Sequence, residues 1–471
     1  MKTAAQILPV SRRHFLRAGA TTVAAISLVP RHVLGGPRFV PPSEQVNVAI
    51  IGAGGQGRTN TRALLAEPAA RVIAVCDPNE QADYDRFYYK GVAGRKPVKA
   101  EVEKHYGEKT PGFRCAEYED FRVMLEKEKA VDAILCATPD HLHAFVCVTA
   151  MRQGKHAYCE KPLSHNIWEA RLMARVARET GVATQLGNQG HSGEGIRQTC
   201  EWLWDGAIGT VREVHAWSSA AKWFRNTGRP TETPPVPAGM NWDLWLGPRE
   251  ARPYHPTYAP VTWRSYWAFG TGTIGDFICH NLDPAVWALD LKAPLTIEAC
   301  SSGLDAETLP ISAIYRYQFG QRGQYPPLKV VWYEGGLYPE RPAELEDDEV
   351  LGGGANGILF LGDKGSMMCA GWGGAPRLIP TAKMDAYKRP TPTLPRSKGH
   401  HRDWLEACKG GKPASSNFDY GARITEIGLL GHVALRTGKR LVWDYDNMKV
   451  KNAPEAERFL KETYRPGWEP A

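Results

Sequence analysis

The chain has 471 residues, 43% hydrophobic and 23% charged, an ordinary globular composition for a protein of about two or three domains. Its net charge of +7 includes Lys2, Arg12, Arg13, Arg17 and Arg31 in the first 35 positions, where no acid occurs, so the remaining body is nearly neutral. No later segment gathers Lys and Arg into the sustained basic face that nucleic-acid binding needs, and that class is excluded.

The first element, "SRRHFLRAGATTVAAISLV", places twin arginines before a weakly apolar run too short to span a bilayer. Ser11, Arg12, Arg13, Phe15 and Leu16 resemble a twin-arginine export signal, with small residues for cleavage in "VLGG" at 33–36. That resemblance implies a signal over residues 1–35 and a periplasmic or extracytoplasmic destination. No later stretch reads as a membrane helix, so the expected mature protein is soluble. Ten cysteines lie between Cys76 and Cys408 without CxxC pairs or zinc spacing, so no metal is expected. Cys76, Cys136 and Cys159 read as small buried hydrophobes.

From Val46 the pattern alternates. "VNVAIIGAGGQG" is a strand and glycine turn, "RTNTRALLAE" a helix and "ARVIAVCD" a strand. A polar insertion over 78–109 precedes "YEDFRVMLEKE" (helix), "VDAILCATPD" (strand), "LHAFVCVTAMRQG" (helix) and "KHAYCEKP" (strand). Short unbroken apolar strands between helices predict a doubly wound parallel sheet, a Rossmann-type α/β domain over 44–165. Beyond it, after one more helix and the strand "VATQLGN", strands become longer and more alternating, from "TVREVHAWSSAA" to "GSMMCAG". They predict an α+β domain over 166–471 with a large, mainly antiparallel sheet. Pro-rich loops at 227–260 and 376–395 interrupt it, and two helices close the chain.

Gly52, Gly54 and Gly57, with Gly55 and Gln56 between them, follow a strand and open a helix, the context in which a GxGxxG turn admits a pyrophosphate at a helix N-terminus. Asp77 ends the second strand 25 positions after Gly52, where an acid accepts from ribose hydroxyls and repels a 2′-phosphate. This favours NAD over NADP, with Arg58 beside the glycines as a counter-indication. Thr138, Pro139 and His143 in "ATPDHLHA", and Glu160 and Lys161 in "CEKP", end strands at the same carboxyl edge, where an open parallel sheet binds ligands. Lys161 is thereby presented at the nicotinamide end, as a donor for a substrate oxygen that gains negative charge.

Asp276 and His280 in "GDFICHNLDP" share one face if helical, so the carboxylate is expected to orient His280 and raise its pKa for work as a general base. Pro284 predicts a kink or a new helix capped by Asp283. Gln189 and His191 in "QLGNQGHS" are candidates for cofactor and substrate contact. Lys222, Trp223, Trp263 and Arg264 are candidates for sugar contact, since aromatic faces stack on pyranose rings and Arg binds hydroxyls or carboxylates. Core packing remains an equal reading for each of these.

The motifs "GAGGQG", "CDP", "ATPDHLH", "EKPLS", "GDFICH" and "FLGDKGS", in this order over about 46–440, resemble the Gfo/Idh/MocA oxidoreductases, relatives of glucose-fructose oxidoreductase and inositol dehydrogenase. The resemblance implies NAD-linked hydride transfer on a carbohydrate or polyol. It assigns Lys161, with a cis Lys161–Pro162 bond, Asp276 and His280 to the catalytic group, and implies a homo-oligomer formed through the C-terminal sheet. Ile278 departs from it, standing where many members carry Gly. Two alternatives stay open: a glycosidase working by transient oxidation, elimination and re-reduction, and a non-catalytic sugar- or nucleotide-binding protein.

Overall fold

The computed structural model describes residues 44–219 and 228–470; the expected export signal and the candidates Lys222 and Trp223 lie outside them. Val46 begins β1 (Val46–Ile51), which pairs in parallel with β2 (Ala70–Cys76) on one side and β6 (Ala133–Cys136) on the other. The hairpin strands β3 (Ala82–Asp83) and β4 (Val92–Ala93) stand apart from this sheet. β5 (Ala116–Tyr118), β7 (His156–Cys159) and β8 (Thr184–Leu186) complete six parallel strands in the order β5-β2-β1-β6-β7-β8. Every residue of β6 is buried, as are three of four in β7, because helices cover both faces; the continuous apolar runs reflect this. The strand order reverses between β1 and β6, and their carboxyl ends open the crevice where ligands bind in such sheets.

The crevice floor is backbone. Gly52 turns out of β1 with φ +87°, and a Cβ there would lie 2.5 Å from the carbonyl carbon of Ala137. Gly57 sits on the carbonyl of Gly52, so only hydrogen fits, and the helix Gly55–Leu65 starts close against the strand.

Two sequence expectations change. The insertion over 78–109 holds the β3–β4 hairpin and the helix Arg95–Gly107, whose only buried apolar positions, Val98 and Val102, are too few to give a helical stripe among charged neighbours. The boundary expected after 165 cuts the parallel sheet. Asn166 and Glu169 form a capping box that starts the helix Ile167–Thr180, and this helix is the crossover that returns the chain to β8.

The second sheet has nine strands in the order β15-β14-β13-β9-β12-β11-β10-β16-β17. They are β9 (Val211–Ser218), β10 (Thr296–Ser301), β11 (Ala313–Phe319), β12 (Leu328–Glu334), β13 (Asn356–Gly362), β14 (Gly365–Ala370), β15 (Arg377–Ile379), β16 (Leu441–Asp444) and β17 (Lys449–Val450). All pairings are antiparallel except β9 with β12. The buried residues of β11 alternate, as a one-sided sheet requires. That face meets the helix Phe418–Thr437, capped by Asn417 and closed by left-handed Gly438, where Gly431 admits the rings of Tyr315 and Tyr317.

The helix Gly272–Asn281 is buried along its whole length. It stops at Leu282, and Pro284 opens a second helix, Asp283–Ala288; Asp283 does not cap it. Ile278 faces the long helix, where its branched methyl meets the bare backbone of Gly428. Ile278 therefore fills core space on the side away from Asp276 and His280. Nine of ten cysteines are buried or half-buried, and the thiols of Cys136, Cys147 and Cys159 come within 4.8 Å of one another in the apolar core. No helix among the described residues is long and apolar enough to cross a membrane.

Ile278→Ala should lower unfolding free energy by about 2–5 kcal/mol, the range for such a cavity, while leaving dinucleotide affinity unchanged. Urea denaturation and fluorescence titration check the two halves of this expectation.

Candidate active site

β7 delivers Lys161 to the crevice edge, and the Lys161–Pro162 bond is cis. The Lys161 ammonium donates to Oδ1 of Asp276 from the helix Gly272–Asn281, an ion pair joining the two halves of the protein. Arg264 approaches the same oxygen at 3.6 Å, and its other arm holds Asp140 at 3.2 Å. Asp140 is fully buried and accepts from the Thr271 N–H (3.1 Å) and hydroxyl (2.6 Å), which fixes the start of the helix that carries Asp276 and His280. One turn after Asp276, His280 packs its ring 5.5 Å from Trp372, and its Nδ1 is buried without a hydrogen-bond partner.

These neighbours set the charges. Burial alone would lower the Lys161 pKa, but Asp276 outweighs it and holds Lys161 above the ordinary value, as ammonium. Burial would raise Asp276, yet Arg264 and Lys161 hold it below the usual range, as carboxylate. Burial and then Lys161 push His280 down to about 3, against the pull of Asp276. The expected carboxylate assistance is therefore overturned: Asp276 spends its charge on Lys161 and Arg264, and His280 is a neutral imidazole at physiological pH. The ring is thus unprotonated and open to a proton at physiological pH, although burial and the neighbouring cation weaken it as a base.

Lys161, Asp276 and His280 line a cavity of about 1610 Å³ together with Gln56, Glu160, Gln189 and Trp372. Behind it runs a groove lined by Gly52, Gly54, Gly55, Gln56, Asp77, Thr138, Pro139, Glu160 and Lys161. Asp77 accepts from the N–H of Ala53 (2.7 Å) and of Asn79 (2.8 Å), and burial pushes its pKa up to about 6. Glu160 gathers the amides of Asn60 (2.8 Å), Gln189 (3.1 Å) and Gln56 (3.4 Å) on one oxygen; its other oxygen is buried without a partner. The glycine cradle, the acid at the end of β2 and this orphaned carboxylate oxygen fit the ribose, phosphate and amide groups of a dinucleotide. Bound there, it would supply the hydride acceptor.

Other candidates sit elsewhere. His143, expected at the cofactor, spends both ring nitrogens on the carbonyls of Thr138 (2.9 Å) and Pro162 (2.8 Å), tying two strand-end turns together. His191, expected at the substrate, is buried against Asp283 (3.0 Å) and stacked on Trp287; Tyr420 donates to the same carboxylate. Trp263 and Arg264 face the groove instead of the larger cavity, with the guanidinium 4.4 Å over the indole. Sequence reasoning passed over Asp140, although it stands in "ATPDHLH", and it passed over Trp372, Tyr84 and Tyr89, which carry no motif.

Two models of one oxidoreductase family match the chain: its NAD-binding Rossmann fold over residues 46–188 and its C-terminal alpha/beta domain over 208–321. A levoglucosan dehydrogenase from Pseudarthrobacter phenanthrenivorans is 23% identical over 244 residues, 51% of this chain and 50% of its own length. A 2,7-anhydro-N-acetylneuraminate hydratase from Mediterraneibacter gnavus is 26% identical over 171 residues, covering 36% and 39%. The chain thus spans half or less of the length of these curated relatives. Among solved structures, a WlbA dehydrogenase from Bordetella pertussis, in complex with NADH and UDP-GlcNAcA, superposes with a TM-score of 0.56 over 85% of this chain and 99% of that one at 15% identity, a likeness of fold.

Lys161→Met should leave dinucleotide affinity nearly unchanged and lower turnover by about two orders of magnitude, the scale for one lost donor to a developing oxyanion. Steady-state kinetics with cofactor titration is the check. With His280 protonated only below its depressed pKa of about 3, kcat/KM should stay level as pH falls through 6.5, losing activity only well below it. An acid limb centred near 6.5 would contradict a neutral, buried base.

Proposed function

The chain belongs to the Gfo/Idh/MocA oxidoreductase family, and from that premise we propose that it oxidises a hydroxyl of a sugar, polyol or sugar derivative with a tightly held, recycled NAD. The observation that carries this reading is the Lys161–Asp276–His280 cluster at the mouth of the glycine groove: one fixed cation and one neutral acceptor on the same cavity. Lys161 polarises the substrate oxygen, His280 takes its proton, and Asp276 with Arg264 holds Lys161 in place and charged. The preference for NAD follows from Asp77, whose carboxylate in the groove disfavours a 2′-phosphate.

Arg12 and Arg13 support export by the twin-arginine route, which carries folded proteins. Outside the cytoplasm free dinucleotide is scarce, so the cofactor arrives loaded and is regenerated in place. That requires a dissociation constant well below micromolar, beyond about −8 kcal/mol. Either a second substrate or the oxidised sugar itself takes the hydride back. The second route makes a glycosidase of the same site: oxidation, loss of the aglycone, addition of water and re-reduction. Assembly of copies through the large sheet remains the proposed quaternary arrangement.

Protein purified from periplasm and gel-filtered should carry near-stoichiometric NAD(H) and turn over sugar without added nucleotide. Cofactor-free protein that consumes exogenous NAD mole for mole would refute the closed cycle. Asp77→Ser should weaken NAD and narrow its advantage over NADP; an affinity ratio that does not move in fluorescence titration contradicts the role given to Asp77.

A further inference from the structure

The β3–β4 hairpin lies over the glycine loop. Its Tyr84 hydroxyl is 2.5 Å from where a Cβ of Gly54 would stand, with the Gly55 amide as its polar neighbour, and the ring of Tyr89 covers Gly55. Tyr88 backs Tyr89 at 3.9 Å between centroids, and Tyr84 meets Tyr89 edge-on at 6.1 Å. Together they leave the groove only about 110 Å³, well under the roughly 300 Å³ at the lower end of small-ligand sites. The amides at the start of the helix Gly55–Leu65 are the natural seat of a phosphate, and a phenol oxygen and a phenyl ring stand there.

The hairpin is closed on itself as a unit. Asp85 accepts from Gly91 N–H (2.7 Å), and Tyr84 N–H donates to Gly91 (2.9 Å), which closes the tip on itself. Its return passes through Gly91 and Gly94, both at positive φ, where glycine turns at low cost. Gly94 N–H is tied to Ala53 (2.8 Å), so the base of the hairpin is anchored to the loop it covers. The tip is open, with Tyr88 65% exposed, and the covering apolar contact from the other half is Val261.

We propose that this hairpin is a tyrosine gate on the cofactor: Tyr84 and Tyr89 hold the phosphate seat, lift to admit the pyrophosphate, and close again over the bound dinucleotide. This rests on the reading of a retained NAD and supplies its physical cause, since a gate slows entry and exit together and makes retention kinetic. It also gives the Tyr-rich insertion a function in the site beyond covering the sheet edge.

The test is stopped-flow fluorescence with NADH: association to nucleotide-stripped protein, and dissociation by displacement with excess NAD. Tyr89→Ala should raise both rate constants about ten-fold, the scale of one lost aromatic contact, with Kd moving less than about three-fold. Tyr84→Phe, which keeps the ring and the fold, removes the hydroxyl's hold on the empty seat and should raise association about five-fold, the scale of one net hydrogen bond, with dissociation moving less. If dissociation alone accelerates, the tyrosines are ordinary contacts and the gate is overturned; unmoved rates in both variants overturn it as well. Wild-type protein that binds no dinucleotide contradicts the gate and the retained-cofactor reading together, whereas tight binding with unaltered rates removes the gate alone.

Discussion

The ion pair between Lys161 and Asp276 is the constraint on which the site depends. Its side chains are only 15% and 8% exposed, and each charge comes from a different half of the protein. A buried pair is tolerated only with good geometry and further partners, because breaking it leaves one uncompensated charge in the interior. Here the partners exist. Arg264 shares Asp276 with Lys161, Asp140 anchors Arg264, and the Thr271 hydroxyl and amide satisfy Asp140. The network runs from the end of β6 through the turn at 262–265 to the first turn of the buried helix, so this cluster forms only where both halves are docked.

This network also decides the chemistry. Stacking three charges beside the buried His280 leaves Lys161 positive, Asp276 negative and the imidazole neutral. A lone histidine in water would be partly protonated at neutral pH. Placing the cation next to it prevents that and weakens the ring as a base, and in the proposed reaction the same cation meets the substrate oxygen. One lysine thus sets the charge state of His280, while Asp276, read from sequence as the partner of His280, instead holds the lysine.

Much of this was legible in the sequence where local pattern governs. The unbroken apolar strands, the glycine turn after β1, Asp77 at the end of β2 and the lysine before Pro162 all reflect constraints within a few residues, and each falls where spacing placed it. Expectations drifted where three-dimensional neighbours decide. His143 and His191 look like site residues in their motifs, but two carbonyls claim both nitrogens of His143 and Asp283 claims Nδ1 of His191. The helix Arg95–Gly107 hides because its buried face is two valines and an arginine. The domain boundary slipped because Asn166 marks a helix start and not the end of a sheet. Ile278, a departure from the motif, is explained only by the bare backbone of Gly428, which no local pattern announces.

The central claim is that Lys161 and His280 converge on one reacting hydroxyl at the nicotinamide end of the groove. A crystal structure of the protein with NAD(H) and a bound sugar measures it most directly. The account predicts one substrate oxygen within hydrogen-bond distance of both Lys161 Nζ and a ring nitrogen of His280, its carbon facing the nicotinamide, with Asp276 still on Lys161. A sugar seated elsewhere in the large cavity, with no oxygen shared by those two side chains, would contradict it.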